Sequence, residues 1–290
     1  MKLLFKNTGP TEEFSNWLKQ FKDINPSILI EIDTKEQKFI SKTYTDDKAL
    51  VRYSFITFDK CNLKLDSIKD NDNKKVKSLD NRIKAGIFMI LPKFITVVDT
   101  FSPVDHSIEF LFDEVVTESE THEYHAQGMV FKSKSLKMRV EGCSIQEFQE
   151  ITDDVFFNKV CLKADPIEIN ISIENVKNLI NISNIFTLDS NRDHMLFYLT
   201  EDNMLNVKND DETVAGRAGS YDYTIGKVDN PEDFNNLQNV KLNILRSKFL
   251  MAVKNITEDF KLVISTDMTK SNRIIFESPT TVTVIAILKN

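Results

Sequence analysis

The chain has 290 residues, of which 41% are hydrophobic and 28% charged, a composition that excludes a disordered or fibrous protein and gives length enough for about two domains. Its 37 basic and 44 acidic side chains leave a net charge of −7, which excludes a nucleic-acid coat built on a uniform excess of Lys and Arg. With no apolar run of about 18 residues, too short an apolar patch in MKLLFKNTGP for a secretory signal, and three scattered cysteines (Cys61, Cys143, Cys161) without a C-x-x-C pair, a cytoplasmic, reduced protein is expected, with neither disulfide framework nor thiolate zinc site.

Lys2–Phe5 reads as a short opening strand. From Thr11 to Ile24, Phe14, Trp17, Leu18 and Phe21 fall at i, i+3, i+4 and i+7, the spacing of one helical face, with Thr11 as N-cap and Glu12 and Glu13 favourably placed against the helix dipole. Three strands are expected next, Ile28–Asp33, Lys38–Tyr44 and Leu50–Thr57, the last two alternating with period two. Leu65–Asn81, rich in Lys, Asp and Asn, reads as a solvated loop.

The order then recurs. Ile83–Ile90 is a strand leading to Pro92 at a helix start, and Phe94, Ile95, Val98 and Phe101 form the apolar face before Pro103. Strands are expected at Ser107–Glu114, His122–Lys132 and Leu136–Glu141, followed by an aperiodic stretch, Cys143–Asp165. A third round has the strand Ile167–Ile171, a helix capped by Ser172 that runs to Phe186, and strands Met195–Thr200, Met204–Lys208 and Tyr221–Lys227. The fourth has the strand Val240–Leu245, a helix over Arg246–Ile256, and strands Phe260–Ser265, Arg273–Glu277 and Thr281–Leu288. The expected fold class is therefore α+β, with four βαβββ units in two domains: 1–142, a linker at 143–165, and 166–290. In each domain antiparallel sheets would hold both helices on one side.

The segments INPSILIEIDTKEQKFI, AGIFMILPKFITVVDTF, INISIENVKNLINISNIF, AGRAGSYDYTIGKV, VKLNILRSKFLMAVKNITEDFKLVIS and RIIFESPTTVTVIAIL, spread over most of the chain, resemble the DNA sliding clamps that act as polymerase processivity factors, in particular those of T-even-like bacteriophages. The resemblance implies DNA-clamp domains and a non-enzymatic subunit that trimerises head to tail into a ring around double-stranded DNA, helices lining the hole. It also implies a replicative DNA polymerase as partner and an ATP-dependent clamp loader, and it allows late-transcription factors. The chain departs from the phage pattern by extra residues at Leu65–Asn81, Glu114–His122 and Cys143–Asp165.

The four helices together net +2, which leaves −9 for the rest of the chain. Sparse cations on such a lining suit sliding, because phosphate contacts carry no sequence information. The expected DNA-facing residues are Lys19, Lys22, Lys93, Lys177, Arg246, Lys248 and Lys254; taken singly, Lys19, Lys22, Lys93 and Lys177 read equally well as solvated positions. The helix carrying Arg246, Lys248 and Lys254 has no acid and weighs most. From the family's partner-peptide pocket, placed by position only, come Phe156, Phe157, Ile287 and Leu288, which could as well fasten the linker to the sheet.

No metal and no cofactor are expected. His122 and His125 of HEYH would point to opposite faces of a strand, His106 and His194 read as surface or turn residues, and Gly216–Ser220 (GRAGS) lacks the Lys-Ser/Thr ending of a phosphate loop. Asp153-Asp154 and Asp210-Asp211-Glu212 read as solvated acids. Two other classes stay open: an α+β enzyme, which would show a convergent carboxylate cleft, and a virion structural protein assembled through edge strands.

Overall fold

The computed structural model describes residues 1–287 except 88, 118–119, 121, 144, 146–147, 149–150, 164–165, 187–192, 210–218, 229–240, 255 and 266–272. The chain forms two compact units, one of Met1–Thr43 with Tyr53–Ile151, the other of Tyr44–Arg52 with Thr152–Asn290.

The first unit runs β1 (Lys2–Asn7), α1 (Glu12–Lys19), β2 (Leu29–Asp33), β3 (Lys38–Tyr44), β4 (Leu50–Thr57), whose first three residues, like Tyr44, count with the second unit, β5 (Leu63–Lys69) and β6 (Lys75–Val76), then β7 (Ile83–Ile87), α2 (Leu91–Phe101), β8 (His106–Val116), β9 (His122–Ser133) and β10 (Lys137–Cys143). Its core buries Phe14, Trp17 and Leu18 of α1 and Phe94, Val98 and Phe101 of α2 against inward residues such as Phe5, Phe39, Ile108 and Phe131. Each such large side chain contributes about 1.5–3 kcal/mol by leaving water. Helix α1 stops at Lys19, short of the expected Ile24. Phe21 instead donates its N–H to Leu18 O at 3.1 Å in a tight turn, still burying its ring. Thr11 stands at the N-cap, yet its side chain makes no capping bond.

The second unit begins with a single-turn α3 (Asp153–Val155) continued by a π-helical turn over Phe156–Val160. It then runs β11 (Pro166–Ile171), α4 (Ile173–Ile185), β12 (His194–Leu199), β13 (Met204–Asn209), β14 (Asp222–Val228), β15 (Lys241–Leu245), α5 (Arg246–Val253), β16 (Phe260–Ser265), β17 (Arg273–Glu277) and β18 (Thr281–Ala286). Ser172 caps α4 as expected, its Oγ accepting the N–H of Asn175 at 3.2 Å.

One pairing rule holds in both units. Each repeat's opening strand pairs antiparallel with the first strand after the other repeat's helix: β1 with β8, β7 with β2, β11 with β16, and β15 with β12. The exchange is reciprocal, so two βαβββ units close one sheet system and leave both helices on its inner side. The expected α+β architecture is thus present.

The segment read as a solvated loop is in part a strand. β5 lies against β1, with Leu63 and Ile68 buried at its two ends. Its Lys and Asp side chains on the outward face hide the period-two signal, because a half-buried strand needs apolar residues on one face only.

Candidate nucleic-acid interface

On the helices of the first unit the outward positions are polar. Lys22, just beyond α1, and Lys93 of α2 are exposed and make no ion pair among the described residues, as does Lys177 on α4 in the second unit. Lys19 is half-exposed, with Asp99 of α2 at 3.6 Å. Lys254, the C-cap of α5, is exposed.

Helix α5, the most cationic by sequence, uses two of its three charges internally. The Arg246 side chain is only 12% exposed, bonded through Nε to Ser183 Oγ at 3.2 Å and through Nη2 to Asn184, with Asp193 Oδ2 at 3.8 Å. Lys248 is equally covered, and its Nζ meets Asp47 Oδ2 at 2.6 Å. Both therefore differ from the expected DNA-facing role. The acids that engage them, Asp193 and Asp47, lie outside the helix, where counting charges along the helix does not reach. The tie continues at the far end of α5, where Arg52 is 1% exposed and donates through Nη2 to the carbonyls of Met251 (2.9 Å) and Ala252 (2.6 Å), and through Nε to Thr283 Oγ1 at 2.9 Å. Those carbonyls belong to the last turn of the helix, where backbone carbonyls run out of intrahelical partners.

Burial is the largest influence on Asp47 and would raise its pKa. The hydrogen bonds from Lys248, Thr45 and Ala49, with the Lys248 charge, outweigh it and bring the group from 3.8 down to about 2. A carboxylate held below its unfolded value contributes stability that is present above about pH 4 and lost as pH falls through 2. Asp47→Asn should therefore weaken the protein slightly at neutral pH and by progressively less toward pH 2, a convergence readable in urea titrations at pH 7, 4 and 2.5; the effect is small because Asp47 remains 55% exposed.

The linker aromatics divide. Phe156 is fully buried and meets Phe157 edge-on at 5.1 Å, while Phe157 is 44% exposed. Arg273 of β17 holds this turn by donating to Val160 O at 2.7 Å and to Lys159 O, and Lys163 pairs with Glu277 at 2.7 Å. Phe156 and Ile287, which is 7% exposed, are buried, and Phe157 presents an apolar face outward. Leu288 lies outside the described residues.

Among the described residues no three His, Cys, Asp or Glu side chains gather as for a metal ion. His122 pairs with Glu114 at 2.7 Å and His125 with Glu123 at 2.8 Å. His106, expected at the surface, is 6% exposed; its ring packs on Phe101 and its Nδ1 lies 2.9 Å from Val104 O, and burial pushes its pKa down. Gly216 and the acids 210–212 lie outside the described residues. Within the described residues no helix is long and apolar enough to cross a membrane.

Two reciprocal βαβββ pairs with amphipathic helices on one side make the fold that of the DNA sliding clamps. Solved structures agree: this chain is similar to the PCNA of A. fulgidus, solved with the C-terminal region of FEN-1 (TM-score 0.60, 11% identity, covering 100% of this chain and 98% of that one). It is also similar to the Helicobacter pylori beta clamp (TM-score 0.63, 13% identity, 99% and 67%) and to the DNA polymerase III beta subunit of Thermotoga maritima (TM-score 0.60, 12% identity, 99% and 65%). The chain thus spans about two thirds of the length of the beta clamps and nearly all of the archaeal protein. No family model matches it, and no curated protein matches its sequence.

Proposed function

We propose that this chain is the subunit of a DNA sliding clamp, a non-enzymatic ring that encircles duplex DNA as a homotrimer and tethers a replicative polymerase. The observation that carries the reading is the reciprocal strand exchange in each unit, which leaves four helices available as a lining. Tethering raises the effective concentration of polymerase at the primer end without adding a catalytic group. Opening of the ring falls to an ATP-dependent loader, and transcription factors are further candidates for the same tether. Similar proteins solved with the FEN-1 C-terminal region and with a DNA ligase peptide support a peptide-docking role for this chain, and the linker, where Phe157 is exposed, is the candidate place for it.

Primer extension on a singly primed circular template, with cognate polymerase and loader, tests the reading: longer products on adding the protein are expected, and unchanged product length would end it. Light scattering behind size exclusion should give three times the 33.5 kDa chain mass. Changing Lys22, Lys93 and Lys177 together to Glu should cut retention on circular DNA at least tenfold and leave that mass unchanged, since neutralised phosphate contacts are lost.

A further inference from the structure

The face of the first unit's sheet that points away from the helices carries a row of lysines set by strand register. Lys64 on β5 is opposite Lys6 on β1, Lys6 is opposite Ser107 on β8, Ser107 is opposite Lys132 on β9, and Lys132 is opposite Lys137 on β10. All four lysines are exposed. Five strands at about 4.8 Å spacing make the row roughly 19 Å long. A shorter second row, Lys75, Lys69 and Lys2, crosses β6, β5 and β1 on register.

Like charges placed directly opposite each other in a sheet are destabilising, and this face does little to offset them. Lys6 has Asp66 at 3.0 Å and Lys2 has Glu109 at 3.2 Å, whereas Lys64, Lys132 and Lys137 make no ion pair among the described residues. Arg139, two residues along β10 from Lys137, is taken by Glu141 at 2.8 Å. A chain of net charge −7 thus concentrates positive charge where folding gains nothing from it.

We infer that this lysine row is a second nucleic-acid surface, one that binds the phosphate backbone of duplex DNA on the side of the sheet remote from the helices. The row contains no aromatic side chain, so it lacks the stacking platforms that hold single-stranded bases and the desolvated aromatic anchors that protein partners use. Point charges in line, free of geometric demands, fit a polyanion of regular charge spacing and carry no sequence information. The surface goes beyond the clamp reading and stands whether or not the chain forms a ring.

The test uses a fluorescein-labelled linear duplex of about 20 base pairs, from whose ends a ring slips off, read by anisotropy over a range of salt. Changing Lys64, Lys132 and Lys137 together to Gln should weaken binding at least tenfold at low salt and flatten the slope of log K against log salt by about 2 to 3. Lys22, Lys93 and Lys177 changed to Gln should leave most of this binding in place. The sheet variant should melt no lower than the parent, because repulsion is removed. Equal binding and slope for sheet variant and parent, a lower melting temperature in that variant, or stronger competition from a polyglutamate peptide than from unlabelled duplex would each overturn the inference.

Discussion

Replacing Arg52 by Met should lower the stability of the second unit by about 3 kcal/mol or more, because each hydrogen bond to a charged group contributes about 1.5–3 kcal/mol and the Ala252 carbonyl left behind is buried. The guanidinium sits at the negative end of the α5 dipole and supplies two orphan carbonyls at once, on Met251 and Ala252. Arg52→Lys keeps the charge but not the planar fork, so it should recover only part of the loss. Urea denaturation followed by circular dichroism measures both variants; a loss under about 1 kcal/mol for Arg52→Met would show that water replaces the side chain without cost.

The second large effect is expected in the first unit. Glu31 is 6% exposed and receives Lys42 Nζ at 2.6 Å and Arg82 Nη1 at 2.8 Å, while Arg82 Nε also reaches Asp33 at 3.2 Å. The Lys42 side chain is only 4% exposed, so Glu31→Gln takes a carboxylate 2.6 Å away from a buried ammonium. Breaking a buried pair from one side costs about 3–5 kcal/mol, whereas removing both charges is often neutral. Glu31→Gln should therefore fall in that range, and adding Lys42→Met should restore most of it. A double variant as unstable as the single would place the cost elsewhere, in packing against Arg82.

The cluster also shows where sequence reading stops. Glu31, Asp33 and Lys42 stand in strands that alternate correctly, and their burial arises because the pairing of β2 with β3 and β7 brings three strands' charges onto one covered patch. No single strand records that. Phe156 and Phe157 illustrate the same limit: adjacent aromatics in an aperiodic stretch carry no sign of which one is buried, and the π-helical turn at Phe156–Val160 decides it.

The sequence by itself determined the repeat. Apolar spacing of 3.6 and 2 along the chain, with Pro92 and Ser172 at helix starts, placed the starts of four helices within a residue or two of where they lie, though not the ends of α1 and α5, and placed all but β5 and β6 among the strands. These signals are local, because a helix or strand must show one apolar stripe to its own core. Only the tertiary structure decided which charges are available to a partner. Arg246 and Lys248 meet acids from other segments, and the lysines of the sheet line up through register between strands distant in sequence. Coulomb interaction acts through space over a few ångströms, so the state of a surface cation depends on neighbours that only folding brings together.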